Sequence, residues 1–263
     1  MFRRNHLKSA LKKGARCKGA WLFSGSTVAG EILGLQGFDA LAIDQEHTAH
    51  GPEATIAQMR AIAVAGPATI LVRVPDGETR TIKLALDSGA EGIVVPAVES
   101  AEEARAIVAA CRYPPTGRRG AHYTVSRAAD WGKKSGEYLQ TYAAELLIIA
   151  MIESERGLNA APDIAGVDGI DMLFLGPLDL SGSFGRLGNF DDARLAGAVD
   201  KVAGACAGCG KWAGSTTFPG FTAPQLFARG HSFVTTGSDV TFLQAGAVAS
   251  LRAAEETPCN PAK

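Results

Sequence analysis

The amino-acid sequence predicts an α/β fold, a (β/α)8 TIM barrel occupying residues 1–263 as a single domain, and three observations carry that prediction. Short runs of apolar and β-branched residues recur eight times along the chain. Each run is followed by a longer Ala- and Leu-rich segment of helical periodicity, the pattern of βα units feeding a parallel sheet. Eight such units in roughly 250 residues match the size of a barrel, and no internal repeat, low-complexity block or linker divides them.

The elements follow in order. The basic segment "MFRRNHLKSALKKGARCK" carries Phe2, Leu7 and Leu11 at near-helical spacing and has no apolar signal core. It reads as a helix capping the bottom of the barrel, with a transit peptide as the lesser alternative. The strands are then expected at 19–23, 40–44, 69–74, 92–96, 146–153, 172–176, 212–215 and 232–236, each an apolar run too short for a helix. The intervening amphipathic segments give helices at 27–36, 52–64, 79–88, 99–111, 155–166, 191–208, 223–229 and 240–254, with one further short helix near Asp179. One stretch departs from the alternation: "RYPPTGRRGAHYTVSRAADWGKKSGEY", residues 112–138. Irregular connections of that length are usually functional or lie in a subunit contact.

Composition narrows the partners. With 26 basic and 27 acidic residues, a net charge of −1 and 46% apolar residues, the chain can bury a large core but offers no field for a polyanion. No nucleic acid is expected, and small molecules are the expected ligands. No run approaches the roughly 20 apolar residues of a membrane helix, so no membrane partner and a cytoplasmic location are expected. Cys17, Cys111, Cys206, Cys209 and Cys259 are too scattered for a disulfide framework and should be reduced. Cys206 and Cys209 have the CxxC spacing but fall late in a helical stretch that Gly210 ends. Coincidence is the preferred reading there.

In a barrel, catalytic side chains lie where strands end. The second strand runs out into "AIDQEH", with Asp44, Glu46 and His47; the third ends with Arg73; the fifth with Glu153; the sixth with Gly176, Pro177, Leu178 and Asp179; the eighth with Gly237, Ser238 and Asp239. Buried carboxylates must be paired or bound to a cation, because desolvating one alone costs several kcal/mol. Glu153 and Asp179, on neighbouring strands, are candidate oxygen ligands of a hard divalent metal such as Mg2+ or Mn2+, leaving positions open for a 2-oxo acid. For Asp179, capping of the following helix is an equal alternative. Arg73 has the fork to hold an enolate oxygen or a carboxylate, or else pairs with Asp44 or Glu46. His47 with Asp44 three residues earlier is the candidate acid–base dyad. His50, His122 and His231 are weaker candidates, His231 as a structural residue at the bottom face and His122 as a group in the insert that could reach a substrate or a neighbouring subunit. None of the ten lysines falls at the end of an expected strand, which argues against Schiff-base chemistry. A GxSxG elbow, a P-loop and a GxGxxG after a strand are all absent from the sequence.

Several segments resemble the HpcH/HpaI aldolases: "GAWL" with Trp21, "GFDALAIDQEH", "LVRVP", "IKLALDSGAEGIVVPAVES", "RYPPTGRRG", "SRAADWG", "GVDGIDMLFLGPLDLS" and "FVTTGSD". They span nearly the whole chain in the family's order. The resemblance implies a metal-dependent, class II pyruvate aldolase acting on 4-hydroxy-2-oxo acids to give pyruvate and an aldehyde, with Mg2+, Mn2+ or Co2+ as cofactor. By that resemblance Glu153 and Asp179 are the metal ligands, Arg73 steadies the enolate and His47 with Asp44 moves the C4 hydroxyl proton. It places the backbone of Gly176, Pro177 and Leu178 at the pyruvate carboxylate, and Trp21 at the substrate. It also implies a homo-oligomer, a hexamer or trimer, with the last helix possibly swapped onto a neighbouring subunit.

The chain departs from the family pattern in places. Met151 stands where many relatives have Gln, Leu178 where "GPADLS" has Ala, and "GSTTF" after the seventh strand is more polar than the usual acceptor wall. The alternatives are an acyl-CoA lyase of the citrate lyase β or malyl-CoA lyase type, and a non-catalytic binder of keto acids.

Overall fold

Residues along each strand alternate between two cores, and that alternation closes the sheet. The computed structural model describes residues 2–255. It places β1 (Cys17–Leu22), β2 (Ala40–Asp44), β3 (Thr69–Arg73), β4 (Gly92–Val95), β5 (Leu147–Ile152), β6 (Met172–Leu175), β7 (Trp212–Thr216) and β8 (Phe233–Ser238) in one closed parallel barrel in sequence order. The seam pairs Cys17 with Phe233 and Trp21 with Ser238, across a register shift.

Ala42, Leu71, Val94, Ile149, Phe174 and Phe233 fill the inside of the barrel. Their neighbours Leu41, Ile43, Ile70, Val72, Ile93 and Ile148 point outward against the helices. The interior packs because glycines stand opposite large side chains. A Cβ at Gly19 would lie 2.7 Å from the Phe233 ring, one at Gly92 2.6 Å from Leu71, and one at Gly214 2.7 Å from Phe174.

The bottom is closed by α1 (His6–Lys12), as the Leu7 and Leu11 spacing predicts. Both leucines join the interior core, and Asn5 caps the helix by accepting from Lys8 N. The barrel helices are α2 (Thr27–Gly34), α3 (Pro52–Ala65), α4 (Thr79–Asp87), α5 (Ala101–Cys111), α6 (Ser135–Glu145), α7 (Glu155–Ala165), α8 (Pro177–Ser183), α9 (Ala193–Gly208), α10 (Ala223–Ala228) and α11 (Asp239–Glu255). Ser26, Ser100 and Ser154 cap α2, α5 and α7 with side-chain oxygens.

Two expectations need correction. The fifth strand stops at Ile152, so Glu153 is the first residue beyond it. The insert is not irregular to its end: α6 begins at Ser135 and buries Tyr138 and Tyr142, one turn apart. The insert also packs under the barrel, away from the strand ends. Phe2 N donates to Asp130 Oδ1 at 2.8 Å, and Arg119, 1% exposed, donates to Asp87 Oδ1 at 2.7 Å with its guanidinium 4.6 Å from the Tyr113 ring centre. A desolvated guanidinium needs that ion pair and aromatic box. His122 is exposed on this segment and lines no part of the strand-end cavity.

Candidate active site

The strand ends surround a cavity of about 540 Å3, large enough for a 2-oxo acid and a short aldehyde together. Trp21 and Phe23 enter from β1, His47 from the loop after β2, Arg73 from the end of β3, and Met151 and Glu153 from the end of β5. Phe174 and Gly176 to Asp179 enter from β6 and α8. Residues after β7 and at the end of β8 complete the wall.

The charged cluster after β2 is ordered by local geometry. Asp44 is fully buried as the last residue of β2, directly beside Arg73 in the β3 register. Its carboxylate accepts from Arg73 Nε, from Glu46 N at 3.3 Å and from His47 N at 2.9 Å. Arg73 Nη1 lies 3.2 Å from Glu46 Oε2, and the guanidinium stacks on the Trp21 ring at 4.6 Å. The expected ion pairs of Arg73 with Asp44 and Glu46 therefore both form.

The Asp44–His47 pairing takes a different form from the one the sequence suggests. Asp44 holds the backbone amide of His47, while the imidazole Nε2 turns to Glu46 Oε2 at 3.5 Å and its side chain is 57% exposed at the mouth. With three donors on it already, the Asp44 carboxylate has no near contact with the ring. Burial raises the Glu46 carboxyl above its ordinary value, opposed by Arg73 and His47 and helped by the charges of Asp44 and Asp179.

Glu153 is 8% exposed. Burial pushes its carboxyl up to about 7, and the nearby Glu46 and Asp179 carboxylates add to the rise. Its Oε1 accepts from Ala97 N at 2.7 Å, and its Oε2 faces Gly176 so closely that a Cβ there would sit 2.6 Å away. Asp179 lies exposed in the first turn of α8, and the helix has no side-chain cap, so the capping alternative is not what the structure adopts. Two mutually repelling carboxylates on one cavity, one of them desolvated, suit a hard dication. Among the described residues no cluster of three or more His, Cys, Asp or Glu side chains could hold a metal. A cation here would thus take two protein ligands and leave the rest of its shell to water and substrate.

The carboxylate-binding backbone also needs correction. Gly176 N is committed to Ile152 O at 3.0 Å and Pro177 has no N–H. Only the first-turn amides of Leu178 and Asp179 face outward without an intrahelical acceptor. Of the remaining histidines, His50 packs beside Gly25 outside the cavity lining. His231 is 2% exposed just below β8, its Nε2 bonded to Val199 O at 3.1 Å, which fits the structural role expected for it. Cys206 is buried in α9, where burial pushes its thiol up to about 12, so the CxxC spacing makes no redox pair. Cys259 and Lys263 lie outside the described residues. Among the described residues no lysine lines the cavity.

Sequence reasoning missed Phe23, Phe174, Phe190, Phe218, Thr217 and Thr236 as lining residues. Position at or just past strand ends was the available signal for all but Phe190, which lies in the loop between α8 and α9, but hydroxyl and aromatic side chains occur there for packing as often as for binding.

Known proteins resemble this chain over nearly its whole length. The family profile described as HpcH/HpaI aldolase/citrate lyase matches residues 18–245. The chain is 39% identical over 240 residues to a hydroxypyruvate/pyruvate aldolase of Roseobacter denitrificans, covering 91% of this chain and 93% of that protein. It is 34% identical to a 4-hydroxy-2-oxo-heptane-1,7-dioate aldolase of Shigella sonnei, covering 98% of each. A crystal structure of an HpcH/HpaI aldolase/citrate lyase family protein from Burkholderia cenocepacia superposes with a TM-score of 0.90 at 35% identity, covering 96% of this chain and 100% of that one.

Proposed function

The chain belongs to the HpcH/HpaI aldolase/citrate lyase family, and on that premise we propose that it catalyses reversible aldol cleavage of a 4-hydroxy-2-oxo acid to pyruvate and an aldehyde. The observation that carries the proposal is the facing arrangement of Arg73, Glu153 and Asp179 on one cavity, with the Glu153 carboxyl pushed up to about 7 by burial and by its acidic neighbours. Glu153 and Asp179 are the residues that would hold a divalent cation, Mg2+, Mn2+ or Co2+, whose chemistry when bound is Lewis-acid polarisation of the 2-oxo group.

The side chains divide the work. The outward amides of Leu178 and Asp179 receive the substrate carboxylate at the start of α8. His47, at the mouth, takes the C4 hydroxyl proton as the C3–C4 bond breaks and the C4 oxygen becomes the aldehyde carbonyl. The bonding pair passes to C3 and O2, and the Arg73 guanidinium steadies the resulting enolate oxygen. Protonation at C3 then gives pyruvate. Asp44 keeps Arg73 aimed and fixes the backbone of His47. Trp21 stacks on the far face of the guanidinium and excludes water from it.

The test is deuterium exchange into the pyruvate methyl group in D2O, followed by proton NMR, with the protein stripped of metal and then given Mg2+, Mn2+ or Co2+. Exchange dependent on one of these cations is expected. No exchange with any of them overturns the proposal.

The proposal extends to assembly and location. Val240, Phe242, Leu243, Val248 and Leu251 on α11, Val28 and Ile32 on α2 and Leu35 just past its end expose apolar surface. That supports a homo-oligomer, hexameric or trimeric, in which α11 covers a neighbour. No helix among the described residues is long and apolar enough to cross a membrane. The free thiols of Cys17, Cys111, Cys206 and Cys209 support a cytoplasmic setting.

A further inference from the structure

The cavity has two unlike halves. The donor half carries His47, Arg73, Glu153 and Asp179, the ionisable side chains that line the cavity among the described residues. The other half, built by the ends of β7 and β8 and the start of α11, carries Thr216, Thr217, Phe218, Thr236, Ser238 and Thr241 and, among the described residues, no lysine or arginine. Among the described residues Arg73 is the one guanidinium in the lining, and Asp44 and Glu46 already engage it.

The hydroxyls of the uncharged half are not equivalent. Ser238 and Thr241 are tied to each other, Ser238 N donating to Thr241 Oγ1 at 2.8 Å. Thr216 Oγ1 has only long contacts to carbonyls, 3.4 Å to Thr235 O and 3.5 Å to Thr217 O. Thr217 and Thr236 are half-buried, and their hydroxyls form no hydrogen bond among the described residues. They follow the paired residues Thr216, the last of β7, and Thr235, within β8, and Thr217 N donates to Thr235 O at 2.9 Å. Two hydroxyls without a partner among the described residues therefore line one wall of the cavity on neighbouring strands, and Phe190 and Phe218 line the same cavity with their rings tilted at 43° and 5.8 Å apart.

We propose, resting on the aldolase reading, that Thr217 and Thr236 select the aldehyde, and that the acceptor is a short, uncharged aldehyde bearing a hydroxyl group. A carboxylate on the acceptor would lose its water against a wall with no free cation, and no partner there would repay the loss. A hydroxyl on the acceptor gives Thr217 and Thr236 the partners they lack, whereas an unsubstituted chain leaves both unpaired on closure. The aromatic pair covers the carbon chain without asking for charge.

The test uses the full-length, metal-loaded protein with pyruvate and four acceptors: glycolaldehyde, glyceraldehyde, propanal and succinic semialdehyde. The expected result is kcat/KM for the hydroxylated aldehydes about tenfold above propanal, with succinic semialdehyde poorest. Thr217→Val and Thr236→Val, near-isosteric changes, are each expected to shrink the glycolaldehyde-to-propanal ratio about fivefold. That ratio is taken within one preparation and cancels any loss of folded protein. Succinic semialdehyde used as well as glycolaldehyde, or a ratio unmoved in both variants, overturns the inference. Pyruvate deuterium exchange measured on the same samples separates the two failures. Exchange without hydroxyl preference overturns the acceptor assignment alone, and absence of exchange overturns the aldolase reading and this inference with it.

Discussion

Gly176→Ala is the substitution whose consequence the geometry states most sharply. The new methyl would lie 2.6 Å from Glu153 Oε2, 2.9 Å from Glu153 Cβ and 3.2 Å from Met151 Cε. Ordinary carbon–carbon contact is about 3.5 to 4.0 Å, so the Glu153 contact is short by more than half an ångström and the flexible end of the side chain cannot absorb it alone. Glu153 must move as a whole, and its Oε1 bond to Ala97 N must stretch with it. Overpacking of that kind costs about 1–3 kcal/mol of stability. If the carboxylate is a cation ligand, its displacement should also weaken Mn2+ binding by about 10- to 100-fold. Urea unfolding of the metal-free protein measures the first effect, and calorimetric titration with Mn2+ the second. Unchanged stability together with unchanged Mn2+ affinity would refute the contact itself. Lost stability with unchanged affinity would keep the contact and remove Glu153 from the cation site.

Three other outcomes are expected. Arg73→Ala should depress both aldol cleavage and pyruvate deuterium exchange by about 100-fold or more, whereas His47→Ala should impair cleavage far more than exchange, because only cleavage needs the C4 hydroxyl proton removed; parallel kinetics of the two reactions check this, and equal activity in both variants contradicts the assignments. His231 is held below the ordinary histidine value by burial, so the unfolded chain binds its proton first. Stability on this account is full above about pH 6.5 and falls as the pH drops through that value toward the folded pKa, by at most about 1.4 kcal/mol per unit; His231→Gln should flatten the acid limb in urea titrations at pH 5 to 7. Arg119→Met should cost about 3 kcal/mol by thermal or urea unfolding, since it removes the partner of Asp87 and the cation of the tyrosine box; a loss below 1 kcal/mol contradicts the role assigned to that cluster.

The barrel was legible in the sequence because its cause is local. Each strand is a short β-branched run that can only be buried on both faces, as with Ile148 outward and Ile149 inward, and each helix segment carries its own cap or apolar stripe. The same logic marked Asp44, Arg73, Glu153 and Asp179: a charge directly after a buried run is conspicuous in one dimension. The α6 helix escaped because its apolar face is made of two tyrosines, Tyr138 and Tyr142, within a Gly-containing segment. The chain order shows no reason to bury them until Arg119 and Phe2 arrive from other parts of the fold.

What the sequence settled by itself, then, is the closed parallel sheet and the set of ionisable groups at its carboxyl end, since periodicity and charge placement are properties of neighbouring residues. Which of those groups touch is a property of distance across the barrel. Only the folded chain saturates Asp44 with Arg73 and two amides, turns the His47 ring toward Glu46, takes Gly176 N out of the carboxylate site and leaves the Thr217 and Thr236 hydroxyls without a partner among the described residues. Partner choice depends on register and rotamer, and neither is written in the order of residues along a strand.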